Sequence, residues 1–385
     1  MQDKVSCSRC ILDTDVPNIW FDESGVCNYC HLQDKLMAQY PLDKSCTQRL
    51  ENIVNEIKAK GKDKKYDCIV GVSGGMDSTF CLYSAKKLGL RPLAVHFDNG
   101  WNSEIAVNNI RNATSKLDID LQTYVVDWDE YKDLQIAFLK ASTPDSEIPT
   151  DTAIRATLYK VAAEEGVKYI IDGHSFRTEG KIPPLWSYGD GRYINNVYAK
   201  YGKNKKLKTF PNLTLWDLFN YTFLRGIKYV RLLYYMEYDK KDVKALLEKE
   251  LGWVTYGDKH YESIYTRFFQ SYILPKKFNI DKRILHLSAL IRSGQISREA
   301  ALLKMREQPI SEEQARADRE YVVKKLGLTD LEFEEIMNLP SKTFMDYPTY
   351  YNFIKTFRQP LKLILKFVTS STPPMLYEMD YQRKK

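Results

Sequence analysis

The sequence predicts an α/β fold built on a doubly wound, mainly parallel sheet, with a small cysteine-bearing head before it and a helical lobe after it. Three observations carry this. Short apolar, β-branched runs alternate with helical segments between Tyr66 and about Gly180. Four cysteines stand in two close pairs before His31. Beyond Gly180 the apolar residues recur at helical spacing, and two of the segments stop at glycine, Gly252 and Gly294.

The head, residues 1–40, has the pattern Cys7-x2-Cys10, sixteen intervening residues, Cys27-x2-Cys30. That is the spacing of a four-thiolate zinc site, since each CxxC turn offers two sulfurs and two turns complete a tetrahedron. Gly25 and Asn28 permit the tight backbone such turns need. A zinc-ribbon-like head follows, with a four-thiolate iron–sulfur cluster as the rival occupant. Four thiolates leave no open position for water, so the role is structural. All seven cysteines lie between positions 7 and 81, which is not a disulfide framework for a chain of 385 residues and fits a reducing compartment. Cys46, Cys68 and Cys81 read as small apolar residues. The N-terminus lacks a secretory apolar stretch, and the run Leu361–Val368 is short and carries two lysines. A cytoplasmic protein with no membrane association is expected.

The second unit, residues 41–200, opens on LENIVNEI, where Leu50, Ile53, Val54 and Ile57 make one face of an amphipathic helix. Then come CIVG after Asp67, PLAVHF before Asp98, LQTYVVD ending at Asp127, and VKYIID before Gly173. Each is preceded by helical composition, so they read as parallel strands buried on both faces. Pro183, Pro184, Gly189 and Gly191 then mark a loop, and KDVKALLEKELG, KRILHLSALIRSG and SREAALLKMRE mark helices of the third unit, residues 201–385.

Where the first strand gives way to a helix the chain reads Gly71-Val72-Ser73-Gly74-Gly75-Met76-Asp77-Ser78. Gly74 and Gly75 let backbone approach an anion, and helix N-terminal N–H groups with the Ser73 and Ser78 hydroxyls can surround a pyrophosphate. Asp77 beside phosphates calls for a bridging magnesium. No lysine follows the glycines, so this is not the loop of kinases and GTPases. It resembles the SGGxDS signature of the PP-loop ATP pyrophosphatases, whose adenine nucleotide alpha hydrolase-like fold cleaves ATP between the α and β phosphates. That resemblance implies ATP contacts from Gly71, Val72 and Gly173 and from Phe97, Asp98 and Asn99 of HFDNG. In the GHSFRTEG segment it implies Glu179 completing the magnesium site with Asp77, and His174 or Arg177 neutralising charge on the α-phosphate.

The later block holds Lys259, His260, Glu262, Arg267, Lys276, Lys277 and Arg283 among aromatics. His260 and Glu262, in an unusual KHYES run, are candidates for chemistry. The lysines and arginines suit the diphosphate or carboxylate of a substrate, or else Lys276-Lys277 and Lys282-Arg283 form a solvated basic face. Asp151, in the IPTD turn, is either a site residue or a helix N-cap. KYVRLLYYMEY suits base stacking or helical core packing. The net charge of +7 fits nucleic acid, a sugar nucleotide, or plain solubility.

Taken whole, the chain resembles the N-acetyl sugar amidotransferases of bacterial surface-glycan biosynthesis. The resemblance covers the head CSRCILDTDVPNIWFDESGVCNYC, the loop GVSGGMDS, GHSFRTEG, and the long block from Gly252 to Gln295. It implies an enzyme using ATP, Mg2+ and Zn2+ that adenylates the carbonyl oxygen of an N-acetyl group on a sugar or nucleotide sugar. Ammonia then displaces AMP to leave an acetamidino group for O-antigen, capsule or flagellin glycan. No glutaminase motif is visible, so the resemblance also implies a partner glutaminase with a cyclase-like subunit. The alternative is a tRNA-modifying, thiolase-like PP-loop enzyme; the lack of any cysteine after position 81 disfavours it, and nucleic acid is not an expected partner.

Overall fold

The structure is a computed structural model that describes residues 4–257, 261–368, Leu376 and Met379. Five strands, β1 (Cys68–Gly71), β2 (Pro92–Asp98), β3 (Leu121–Val125), β4 (Tyr169–Asp172) and β5 (Lys228–Arg231), form one sheet in the order β3-β2-β1-β4-β5. Every pairing is parallel, with Ile69 beside both Leu93 and Ile170. The order reverses between β1 and β4, so the chain leaves β1 toward one edge and later returns past it. In an open parallel sheet that crevice, at the carboxyl ends of the two strands, is where ligands bind.

Helices α1 (Asn28–Gln39), α2 (Lys44–Gly61), α3 (Met76–Lys87), α4 (Glu104–Leu117), α5 (Trp128–Ala141), α6 (Ile148–Glu164), α7 (Gly191–Tyr201) and α8 (Leu215–Phe219) precede β5. After it come α9 (Lys240–Leu251), α10 (Ile264–Phe268), α11 (Leu274–Phe278), α12 (Arg283–Arg292) and α13 (Arg298–Arg306). The last are α14 (Glu312–Leu326), α15 (Asp330–Asn338), α16 (Tyr351–Thr356) and α17 (Arg358–Val368). Among the described residues no helix is long and apolar enough to cross a membrane.

The central strands alternate faces as the period of two requires. Cys68, Val70, Ala94 and Ile171 pack with α2, α3 and α9, while Ile69, Leu93, Val95 and Ile170 pack against Ala156, Leu158 and Val161 of α6. Two expectations need correction. β3 is an edge strand whose residues are mostly exposed, and no described strand pairs with its outer side. KYVRLLYYMEY is β5 and a 3₁₀ turn rather than a helix, and Val230, Leu232, Leu233, Tyr234, Tyr235 and Tyr238 are buried in the core beside the sheet.

The head folds against the far end of the chain. Its four buried cysteines share a core with Trp101, Tyr265, Phe268, Val322 and Phe333. Arg292 of α12 places Nη1 3.9 Å from Cys10 Sγ, and Arg298 of α13 donates to the carbonyls of Cys10 and Cys7 at 3.1 and 3.4 Å. Among the described residues these sulfurs form the one cluster of three or more metal-type side chains within ligating range. The Cys7–Cys30, Cys10–Cys27 and Cys27–Cys30 separations are 3.6–3.8 Å and all lie within 4.8 Å, which suits a tetrahedron with Zn–S bonds of about 2.3 Å. The donor set therefore fits zinc, and the two guanidinium groups offset the charge that four thiolates would leave on it.

Candidate active site

A cavity of about 620 Å³ opens at the β1/β4 crevice. One wall is the loop that closes β1. Gly74 has φ +79°, and a Cβ there would lie 2.3 Å from the Ala106 carbonyl oxygen, so only glycine lets the loop pass α4. Asn109 and the Trp253 indole both donate to the Gly74 carbonyl, at 3.3 and 3.0 Å. The loop is thus held from behind while Gly71, Val72, Ser73, Gly75, Asp77 and Ser78 line the cavity. Ser73 and Ser78 are braced on each other, Oγ to Oγ 3.2 Å, with Gly75 N–H donating to Ser73 Oγ at 3.3 Å. Gly75 is the N-cap of α3 and offers no side chain there, which leaves that helix N-terminus open to an anion.

The opposite wall is the loop after β4. Gly173 approaches the Asp77 backbone closely enough that a Cβ would sit 3.1 Å from it. His174 and Glu179 line the cavity in contact with each other, Nδ1 to Oε2, and Lys181 lies 3.4 Å from His174 Nε2. Burial lowers the His174 pKa, Lys181 adds to that and Glu179 opposes it. Asp77 also lines the cavity and accepts a hydrogen bond from the Tyr238 hydroxyl. Two carboxylates from facing loops suit magnesium, which takes one or two carboxylates and fills its octahedron with phosphate oxygens and water. Phe97 and Asn99 line the cavity, Phe97 stacked on Tyr124. Gly74 and Asp98 do not; Asp98 instead accepts from Gly100 N–H and Asn102 at the end of β2.

Several expected roles are overturned. Arg177 is 4 % exposed and donates to the carbonyls of Tyr234 and Tyr40 at 3.1 and 2.6 Å, so it ties the end of α1 to the 3₁₀ turn after β5 and does not line the cavity. Arg267 makes a two-pronged pair with Asp318 at 2.7 and 2.6 Å. Lys276 lies over the Tyr272 ring, and Arg283 pairs with Asp281 while bonding the Lys304 and Glu307 carbonyls at the end of α13. Lys277 is spent on the C-terminal carbonyls of α15, reaching Ile336, Met337 and Leu339 at 2.7–2.9 Å. Arg267, Lys277 and Arg283 are thus consumed by the fold, whereas Lys276 stays exposed to solvent and outside the cavity. Lys282 is turned inward, lining the cavity 3.8 Å from Asp145. Lys259 and His260 lie outside the described residues. Lys277→Ala is accordingly expected to lower stability by about 1–3 kcal/mol through the carbonyls left unsatisfied, with substrate KM unchanged in steady-state assays.

Glu262 does reach the cavity, its Oε1 and the Tyr256 hydroxyl both facing Gly75. So does the start of α6, of which the sequence singled out Asp151 alone. Asp151 is no N-cap: Glu147 holds that position, and Asp151 is already inside the helix. Glu147, Thr150, Asp151, Ile154 and Thr157 recur at helical spacing and all line the cavity. A polar stripe on a helix whose other faces are apolar was the available signal. Glu147 Oε1 accepts from Thr266 Oγ1 at 2.8 Å. Burial, then Asp151 and Asp145, push its carboxyl up to about 8, against smaller opposing effects of Thr266 and Lys282. A carboxyl raised on folding binds protons more tightly than in the unfolded chain, so stability is full below the ordinary value and drains as pH rises through 8. Glu147→Gln removes that loss. Its melting temperature is expected to exceed that of the parent at pH 8 by about 2 °C or more and to match it at pH 4.5, as thermal unfolding followed by circular dichroism would report.

Comparison with known proteins divides the chain in two. Residues 262–360 match the family described as LPS biosynthesis protein WbpG-like, C-terminal domain, and residues 67–159 match the queuosine biosynthesis protein QueC. An uncharacterized protein of Methanocaldococcus jannaschii is 30% identical over 174 residues, 44% of this chain and 59% of that protein. The chain thus spans little more than half the length of that curated relative. Among solved structures, an NH3-dependent NAD synthetase from Campylobacter jejuni matches with TM-score 0.31 and 13% identity, over 74% of this chain and 97% of that one. A predicted subunit of tRNA methyltransferase from Methanocaldococcus jannaschii matches with TM-score 0.29 and 15% identity, over 47% and 75%. Overlaps this loose carry no functional weight.

Proposed function

Because the chain is a WbpG-like member of the PP-loop family, we propose that it is an ATP-dependent N-acetyl sugar amidotransferase, one that converts an N-acetyl group of a sugar or nucleotide sugar into an acetamidino group for a surface glycan such as lipopolysaccharide. The observation that carries the reading is that the two matched segments meet in one cavity. Ser73, Asp77 and Ser78 come from the segment of the first strand and loop, and Glu262, Thr266, Gln270 and Lys282 from the WbpG-like segment.

In this reading the open N-terminus of α3 and the Ser73 and Ser78 hydroxyls hold the β and γ phosphates as they become pyrophosphate. Asp77 and Glu179 would hold magnesium, which when bound neutralises phosphate charge. Phe97 packs on the adenosine. An amide carbonyl is a poor electrophile, so its oxygen takes the adenylyl group first; ammonia then adds to the carbon and AMP leaves. Ammonia comes from a partner glutaminase through a cyclase-like subunit. A tRNA-modifying enzyme is the second reading, favoured by the match of residues 67–159 to a queuosine biosynthesis protein.

One assay separates them. ATP, magnesium and ammonium are supplied with N-acetylated nucleotide sugars or with total tRNA, and AMP, pyrophosphate and product mass are followed. AMP release with a sugar product lighter by about one mass unit, as NH replaces O, supports the amidotransferase. Release with tRNA alone would replace it with the second reading.

A further inference from the structure

We infer that the surface formed by α16 and α17 is a docking face for an anionic lipid bilayer, on which the two helices lie with Phe353, Phe357, Leu363 and Ile364 turned into the headgroup layer. The inference is independent of the reaction proposed above.

The first observation is that α17 is seated the wrong way round for a helix whose only partner is its own protein. An amphipathic helix normally buries its apolar stripe and leaves its charges in water. Here Leu365 packs on the cluster of Tyr351, Leu376 and Met379, and Lys362, partly buried, lies near Lys35 of α1. Arg358, Lys362 and Leu365 follow one another at i, i+4 and i+7, so they share the face directed at the body. Leu363 and Ile364 fall on the opposite side, 61 % and 47 % exposed. α16 reaches α17 through Phe357 alone, and Phe353, Phe357 and Ile364 stand at i, i+4 and i+11, the spacing of one helical stripe. Phe353 and Phe357 are 53 % and 47 % exposed, their ring centroids 4.8 Å apart. Four large apolar side chains thus stand in water on one short stretch of chain, at a cost in free energy that an apolar medium would remove.

The second observation is the charge of the same stretch. From Tyr347 to Val368 the chain has Lys355, Arg358, Lys362 and Lys366 and neither Asp nor Glu. Burial first, then Lys35 and Arg358, push the Lys362 ammonium down to about 8, so these neighbouring charges are of its own sign. Crowded cations beside an exposed apolar face match a surface that is apolar within and anionic at its rim.

A second copy of the chain fits this face less well. A two-fold interface sets a patch against itself, and Lys355, Arg358 and Lys362 would meet their own counterparts with no carboxylate from this stretch between them. Nor does α17 cross a bilayer: its 11 residues rise about 16 Å, against a hydrocarbon layer of roughly 30 Å. The brevity and lysines of Leu361–Val368, from which no membrane association is expected, exclude a span, whereas lying on the surface needs neither length nor neutrality. A single element of this kind binds reversibly, so the protein exchanges between solution and bilayer.

The test is flotation of the full-length protein with vesicles of phosphatidylcholine alone or mixed with phosphatidylglycerol. The parent should float with the mixed vesicles, stay behind with phosphatidylcholine, and be released as salt is raised. Leu363→Ser combined with Ile364→Ser should weaken binding by about tenfold or more, and Lys355→Gln by about fivefold. All three positions are exposed, so the melting temperature should stay at the parental value, which separates loss of docking from loss of fold. Failure of the parent to float with the mixed vesicles, equal binding to both kinds of vesicle, or undiminished binding by the Leu363→Ser, Ile364→Ser variant overturns the inference. A parental dimer in light scattering that the same variant converts to monomer would assign the face to a second copy instead.

Discussion

Asp77→Asn is expected to reduce AMP formation by at least about 100-fold while the fold is retained. The carboxylate stands in the first turn of α3, at the mouth of the loop that lines the phosphate end of the cavity, across from Glu179. An amide there keeps the size of the side chain and still accepts the Tyr238 hydroxyl, so the packing of α3 is undisturbed. What it loses is the negative charge that would bind magnesium, and with it the neutralisation of the triphosphate. Tyr256 shows how acidic this end is, since burial first and then Glu262 and Asp77 all oppose ionisation of its hydroxyl. Removing one carboxylate from such a group relieves repulsion, so the melting temperature should hold or rise. Pyrophosphate release and thermal unfolding measured on the same preparation check both halves. Turnover at the parental rate would remove Asp77 from the magnesium site.

Cys27→Ser is expected to empty the head of zinc and to destabilise the chain beyond the head itself. Structural zinc sites bind with about 10 kcal/mol or more at neutral pH, and the unfolded chain forfeits that energy. The loss should spread because of what the cluster touches. Arg292 beside Cys10 is followed by Ser293, whose hydroxyl donates to the Arg177 carbonyl at 2.7 Å, and Gly180 lies against the Leu285 backbone. The loop bearing His174 and Glu179 is therefore seated on the same helix that seats the head. Metal analysis should give one zinc per parental chain and none in the variant, with increased hydrogen exchange in residues 173–181. Cys46→Ser is the control, since Cys46 is buried in the α2 core away from the cluster and its replacement should leave zinc bound. Full zinc occupancy in Cys27→Ser would show that the ligand set is wrong.

The parts of this structure that could be read in the sequence are those in which local chemistry and global position coincide. β1, β2, β3 and β4 are β-branched runs with glycine or aspartate at their ends, and the cysteine spacing admits few geometries. The phosphate loop is legible for the same reason, because Gly74 and Gly75 have one backbone task each. The cations were illegible. Whether Lys277 meets a substrate or the end of α15 depends on residues sixty positions away, and nothing about a Lys-Lys pair in a row discloses that. β5 was hidden by its aromatic residues, which serve a strand or a helix equally well. Glu147 was missed, and Asp151 was left between a site residue and an N-cap, because which face of α6 the sheet leaves uncovered is a tertiary property.

The bonds from Arg292 and Arg298 to the cysteine head join residues 282 and 288 positions apart, and this sets an order of events during synthesis. The head is made before α12 and α13, the helices that supply Arg292 and Arg298 and part of its cover. Until those helices are made, the four-cysteine head lacks that cover while the strands of the sheet are synthesised behind it.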